Sequence, residues 1–385
     1  MIKRYLLTPG PTPIPAEVLA AMAQGDLHHR TPQFSQIFNE ARAGLKALFT
    51  TQQDVLILAS SGTGGMEAAV SNLFSPGDKV LVVNGGKFGE RWLRIAQAFA
   101  LEPIELKVEW GKAVKVEHIQ KHLQVYPDIQ GILMQASETS TTTLHPVREI
   151  AEATRNGPLL LVDGVTAVGA LSVPFDEWAI DALVTGSQKA LMLPPGLAFI
   201  ALSDRAWERT AKAKLPRFYF DLKLERKTQR EGTTAFTPAI SLILGLRAAL
   251  KMMQEEGLEQ VYARHERLAS ATRAAATALG LKLLAPENPS PAATGIFVPD
   301  GMDGERLLDY MRDHMGLVIA EGQDHLKGKI VRIAHMGYMS VFDVIIAVSG
   351  LEMALRKFGF PAKLGHGVAA AQEILMEAFG PKDEK

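Results

Sequence analysis

The 385-residue chain contains no cysteine. That excludes disulfides, thiolate metal sites and a cysteine nucleophile. Excess charge is missing as well: 41 basic residues meet 42 acidic ones, for a net charge of −1. No field of one sign favours nucleic acid or an anionic membrane as a partner. Apolar runs stop short of the length that crosses a bilayer, and the opening Met1-Ile2-Lys3-Arg4-Tyr5-Leu6-Leu7-Thr8-Pro9 breaks too early for a signal peptide. The expectation is a cytoplasmic protein. Internal repeats and low-complexity tracts are lacking too. At 47% hydrophobic residues, a chain of this length can bury a large core and is expected to divide into two domains.

Strand and helix patterns alternate along the chain, as an α/β fold requires. Residues 55–59, 81–83, 132–135, 159–162 and 182–185 read as short buried strands, and 90–99, 147–154 and 239–256 as helices. The last of these helices is expected to bridge the two domains. From Leu258 the pattern changes to a long helix, short strands and turns such as Pro286-Glu287-Asn288-Pro289-Ser290-Pro291, which mark a smaller domain. A short amphipathic helix over 368–379 and a polar tail over 380–385 close the chain.

Two charges stand in apolar surroundings. Asp163 ends the run Leu159-Leu160-Leu161-Val162-Asp163-Gly164, and Lys189 lies in Val184-Thr185-Gly186-Ser187-Gln188-Lys189-Ala190-Leu191-Met192. Lysines rarely go under without a reason. A desolvated lysine has a lowered pKa and an amine able to form Schiff bases. An aspartate at the carboxyl end of a buried strand can hold a positive ring nitrogen. Together they point to pyridoxal 5'-phosphate (PLP), whose aldehyde takes a lysine and whose pyridinium takes an acid. A structural ion pair beside a strand-end aspartate is the alternative.

A phosphate site is present too. The turn Ser60-Ser61-Gly62-Thr63-Gly64-Gly65 separates the first strand from a helical stretch beginning Met66-Glu67-Ala68. Backbone N–H groups and the positive end of a helix dipole meet there, with Ser and Thr hydroxyls beside them. No Gly-Lys-Ser/Thr follows, so this is not a Walker loop, and the glycine spacing does not fit a dinucleotide fingerprint. Taken alone, a plain Gly-rich turn reads equally well. Arg332 sits in the apolar stretch Ile330-Val331-Arg332-Ile333-Ala334, where an unpaired arginine is expensive. Its fork suits an α-carboxylate bidentately, and a buried acid of the small domain is the other candidate partner.

These motifs resemble the class V aminotransferases of fold type I, in the alanine/serine–glyoxylate (serine–pyruvate) group that also holds bacterial and archaeal aspartate aminotransferases. The most specific piece is Thr185-Gly186-Ser187-Gln188-Lys189-Ala190-Leu191 followed by Pro194-Pro195-Gly196. The likeness runs from Leu7-Thr8-Pro9-Gly10-Pro11-Thr12-Pro13 to Lys329-Ile330-Val331-Arg332-Ile333. It implies the PLP-transferase fold: a large domain with a mainly parallel sheet flanked by helices, plus a smaller α+β C-terminal domain. The implied divisions are an N-terminal segment lining the active site over 1–14, the large PLP-binding domain over 15–256 and the small domain over 257–385. The implied activity is ping-pong transfer of an amino group from alanine or serine to glyoxylate or pyruvate. Aspartate with 2-oxoglutarate is the alternative, and it needs a second cation for the side-chain carboxylate, for which Arg30 and Arg91 are the candidates. Another PLP reaction on the same scaffold also stays open, although a desulfurase would need the cysteine this chain lacks.

Residue by residue, the resemblance implies that Lys189 holds PLP as a Schiff base and that Asp163 lies under the pyridine nitrogen. Ser61, Gly62, Thr63 and Gln188 match phosphate ligands, and Thr139 a hydroxyl near the ring oxygen. Phe88 falls where some relatives stack a tryptophan, with a smaller π-face. Gly10 lines the substrate pocket with Arg332. Thr237, in Ala235-Phe236-Thr237-Pro238, matches a residue given to the phosphate by the other subunit of a homodimer; an ordinary helix cap is its plainer reading. Thr234 stands where animal relatives carry a tyrosine. Other features invite less. His28-His29-Arg30 are adjacent, which suits a pocket edge better than one metal ion, and no metal site is expected. His118 and His122 read as a solvated helix face, and Asp176, Glu177 and Asp181 as loop and helix-start residues.

Overall fold

Alternation along the strands divides the core into two layers. In the computed structural model, which describes residues 2–380, Ile57, Leu81, Ile132, Leu160 and Leu183 enter one hydrophobic cluster. Their neighbours Leu56, Val80, Leu133, Leu161 and Val184 enter another. Successive side chains of a strand point to opposite faces, so this segregation is what a sheet covered on both sides requires. It also explains why these strands read as unbroken apolar runs. The sheet has seven strands in the order Val55–Ala59, Leu197–Leu202, Ala182–Gly186, Leu159–Asp163, Gly131–Gln135, Lys79–Asn84 and Glu102–Lys107. Leu197–Leu202 runs antiparallel to both of its neighbours, and the remaining pairs are parallel. This is the mainly parallel, helix-flanked sheet expected.

The second core gathers Leu268, Ala271, Leu307, Val331, Ile333 and Leu351 around a three-stranded antiparallel sheet. That sheet has the order Ala293–Phe297, Ile330–Ala334, Ala320–Glu321. The expected bridge between the cores lies elsewhere. Helix Ile240–Glu256 buries Ile243, Leu246, Ala249 and Met253 in the large core alone. The following helix, Leu258–Ala278, gives Val261 to the large core and Leu268, Ala271 and Ala275 to the small one. Its 21 residues make it about 30 Å long, enough to reach both. The chain start is tied to the small sheet's core. Tyr5–Leu6 pairs in parallel with Leu317–Val318, and the Leu7 carbonyl accepts from the Ala334 N–H at 3.0 Å.

The remaining expectations are easily placed. Helix Val147–Thr154 is as anticipated, while helix His366–Leu375 stops short and a 3-10 turn completes the segment. The polar tail beyond Gly380 lies outside the described residues. Asp176 accepts from Thr51 Oγ1 and the Gln52 N–H, and Asp181 from the Leu160 N–H, Ser203 and Arg205. Both anchor loops, and neither starts a helix. Among the described residues, no helix is long and apolar enough to cross a membrane.

Candidate active site

Five strands of the large sheet deliver the candidate residues to one edge. Ser61–Thr63 follow Val55–Ala59, Phe88 follows Lys79–Asn84, Thr139 follows Gly131–Gln135, Asp163 ends Leu159–Asp163, and Gln188–Lys189 follow Ala182–Gly186. Segments distant in sequence meet because parallel strands expose all their carboxyl ends on the same side, where open α/β sheets bind ligands.

Lys189 is held from several directions. Ser187 Oγ donates to the Pro194 carbonyl at 2.7 Å and accepts from the Leu197 N–H at 3.1 Å, which fixes the turn. Thr12 Oγ1 donates to the Lys189 carbonyl at 2.8 Å, and Lys189 Nζ donates to the Pro9 carbonyl. Gly10 is required here on two grounds. Its φ of +141° lies in glycine territory, and a Cβ would overlap the Lys189 side chain. Burial pushes the Lys189 pKa down to about 8, with Arg332 and Arg91 adding to the shift and Asp163 and Glu138 opposing it. The amine is therefore far readier to lose its proton than a surface lysine. Asp163 is 4% exposed. Burial lifts its carboxyl to about 6, against the Val165 N–H at 2.8 Å, Arg91 and Lys189.

Arg332 reaches this edge from the small sheet, at 6% exposure. Nε and Nη2 donate to the Glu321 carbonyl at 3.0 and 2.8 Å, and Nη1 donates to the Thr139 carbonyl at 2.8 Å. A guanidinium has five N–H bonds, so one remains on each of Nη1 and Nη2. Each can donate to a carboxylate oxygen. Thr139 Oγ1 shares a short hydrogen bond with Thr166 Oγ1. The guanidinium of Arg91 lies 4.7 Å from the Phe88 ring centre, and its Nη1 donates to Thr63 Oγ1 at 3.1 Å. Gln188 keeps its side-chain oxygen buried without a partner.

Ser61 is the exposed N-cap of helix Gly62–Leu73, and its side chain does not cap that helix. Thr237 lines one cleft with His29, Arg30, Thr233, Thr234 and Phe236 and another with Ala59 and Leu197. The helix behind it is capped at Ala239, so capping does not account for Thr237. His118 and His122 lie on helix Val116–Val125, where a His122 ring nitrogen meets the His118 carbonyl at 2.7 Å.

Sequence reasoning passed over Glu138, which is fully buried beside Thr139. The clue was there: an acid flanked by small hydroxyl residues just past a buried strand. Thr166 was likewise not assigned to the site, and Arg91 entered only as a candidate partner for a second carboxylate.

A buried amine and a buried acid at the carboxyl edge of such a sheet, faced by an arginine fork from a second small sheet, define an α/β transferase of fold type I. The family model described as aminotransferase class-V matches residues 4–343, and the chain belongs to that family. A Synechococcus protein named as the small subunit of a soluble hydrogenase is 42% identical over 98% of this chain and 99% of its own. The L-aspartate–glyoxylate aminotransferase of Paracoccus denitrificans is 38% identical over 99% of this chain and 98% of its own. In the crystal structure of ureidoglycine–glyoxylate aminotransferase from Bacillus subtilis, the TM-score is 0.91 at 30% identity, covering 97% of this chain and 98% of that one.

The lowered lysine pKa can be read without any reaction. Below about pH 8 Lys189 is charged whether folded or unfolded, so folding bears the full cost of burying the charge. As pH rises from 8 towards 10.5 the unfolded chain binds more protons than the folded one, and the cost disappears. In cofactor-free protein, Lys189→Met should therefore be more stable than wild type at pH 7, by at most about 3 kcal/mol. Urea melts should show the gap closing as pH climbs through that window, and a gap constant with pH would contradict the shift.

Proposed function

We propose that this chain is a PLP-dependent transaminase that moves an amino group from a small L-amino acid, alanine or serine, to glyoxylate or pyruvate. The observation that carries the reading is Lys189: a buried amine with its pKa lowered to about 8, beside buried Asp163. The surrounding residues suit PLP. The start of helix Gly62–Leu73 is left uncapped by the Ser61 side chain, and the Ser61 carbonyl takes the Gly64 N–H, which leaves the Gly62 and Thr63 N–H groups to take a phosphate. Gln188 follows the same strand end as Lys189 and has an NH2 group that can donate to a phosphate oxygen, and Lys189 Nζ is tied to a single carbonyl, that of Pro9. When bound, PLP supplies an aldehyde for the amino group and a pyridinium that draws electrons from the substrate's α-carbon.

The chain's own residues would then divide the work. Asp163 holds the proton on the ring nitrogen, and Phe88 covers a ring face. Ser61, Gly62, Thr63 and Gln188 hold the phosphate, with Thr139 near the ring oxygen. The free fork of Arg332 takes the α-carboxylate, next to Gly10. Lys189 removes the α-proton as a neutral amine and returns it, a role for which a pKa near the working pH is best. The same site serves the amino acid first and the oxo acid second, which gives ping-pong kinetics.

The preference for a small donor rests on Arg91 and Arg30, the two cations that could meet a second carboxylate. Arg91 is turned to Thr63 and the Phe88 ring, and Arg30 lies in the cleft that holds Thr237. Aspartate as donor is the second reading, favoured by the name of the Paracoccus relative. The hydrogenase name offers less, since this chain has no thiolate to hold a metal cluster. Purified protein with added PLP, assayed with alanine, serine and aspartate against glyoxylate, pyruvate and 2-oxoglutarate, should give the highest kcat/KM with alanine or serine and glyoxylate. Aspartate faster by about tenfold, or 1.4 kcal/mol, would establish the second reading, and no transfer with any pair would overturn both.

We further propose a two-fold homodimer in which Thr237 serves the neighbour's phosphate site. Support comes from its place in an open cleft with His29, Arg30 and Phe236, and from the adjacent apolar face. There Phe218 is 80% exposed and Tyr219 stacks on Phe236. Lys189→Ala and Thr237→Ala subunits, each impaired alone, should regain activity when mixed, because one site of the mixed dimer carries both defects and the other neither. A monomer with full activity in sedimentation would contradict this assembly.

A further inference from the structure

Glu138 is buried and lies among the site residues, yet none of the steps above uses it. Its carboxyl has four donors. Oε1 accepts from the Ser140 N–H at 3.1 Å and from Ser140 Oγ at 2.5 Å, and Oε2 accepts from the N–H groups of Phe88 and Gly89, each at 3.1 Å. Burial pushes its pKa up, against the bonds from Ser140 and Gly89. Two donors on each oxygen favour the carboxylate form and so oppose the effect of burial.

Phe88 and Gly89 open helix Lys87–Ala98, and the residue before it, Gly86, has no side chain with which to cap it. Glu138 supplies the missing cap from a different strand end. A side chain at Gly86 would overlap Glu138 and Ser140, so that glycine makes room for the carboxylate. Ser140 Oγ also accepts from the Lys87 N–H at 3.0 Å, which doubles the link. On its other side, the next residue along, Thr139, offers the carbonyl that orients Arg332.

We propose that Glu138 is a positioning residue that ties the ring-covering Phe88 to the carboxylate fork of Arg332 and so sets the space between them. The proposal rests on the PLP reading of the site. Ser61–Thr63 belong to another strand end and make no bond to Glu138; their link to its helix is the Arg91 bond to Thr63 Oγ1, so the phosphate cradle should depend on Glu138 far less than Phe88 and Arg332 do. That separation provides the test. In Glu138→Gln the amide keeps the shape but points an NH2 group either at the Phe88 and Gly89 N–H groups or at the Ser140 N–H, and so leaves at least one donor unpaired.

The apoprotein would be titrated with PLP and, separately, with inorganic phosphate as a competitor, and steady-state kinetics measured on the loaded enzyme. For Glu138→Gln the PLP Kd should rise on the order of tenfold while the phosphate constant stays within about twofold, and KM for the amino donor should rise more than kcat falls. Ser140→Ala, which removes only the hydroxyl link, should move the same quantities less, and it carries the comparison alone if Glu138→Gln does not fold. Unchanged PLP Kd and KM in a folded variant would overturn the proposal. So would equal losses for PLP and phosphate, the mark of general damage. Wild-type apoprotein that binds no PLP would instead sink the underlying reading.

Discussion

Burying one amine is the constraint on which the rest of this site depends. Lys189 cannot be hidden cheaply as a cation, and the molecule surrounds it accordingly. Its carbonyl is bound by Thr12, its turn is fixed by Ser187, and its amine is bound by the Pro9 carbonyl. The charges nearby are mixed in sign, with Arg332 and Arg91 lowering its pKa and Asp163 and Glu138 raising it. Burial wins, and the pKa of the amine falls to about 8. The N-terminal segment belongs to this arrangement as much as the sheet does. Gly10 lets the chain pass against the lysine, and the pairing of Tyr5–Leu6 with Leu317–Val318 fixes that passage to the small sheet.

Much of this is legible in the residues themselves. The strand ending in Asp163 and the turn bearing Lys189 can be read because short, unbroken apolar runs bounded by small residues mark strands covered on both faces. The turn over residues 60–65 is legible for a similar reason, since glycines and hydroxyls mark the passage from the strand Val55–Ala59 to the helix Gly62–Leu73. Arg332 is visible as a charge in a short apolar strand. In each case the signal is local: the residue and the neighbours that betray it lie within a few positions.

What escapes a sequence reading is set by distant partners. Helix Lys87–Ala98 starts three residues before the expected 90, because its cap is Glu138, 50 positions further along the chain. No capping signal lies next to Gly86 for a reader to find. The length and apolar content of Ile240–Glu256 fit a bridge between the cores, but its buried face serves only the large core. Helix Leu258–Ala278 bridges instead, and the two roles differ only in which residues pack against each turn. Arg91 looks free to meet a substrate carboxylate, and only the fold shows it turned to Thr63 and Phe88.

Reductive trapping bears most directly on Lys189 as the anchor of the cofactor. Wild-type protein loaded with PLP would be treated with borohydride, digested and mapped by mass spectrometry. The account predicts a stable pyridoxyl adduct on the peptide containing Lys189, formed in near-stoichiometric amount and absent from Lys189→Ala. An adduct confined to another lysine, or none in protein that nonetheless turns over, would contradict it.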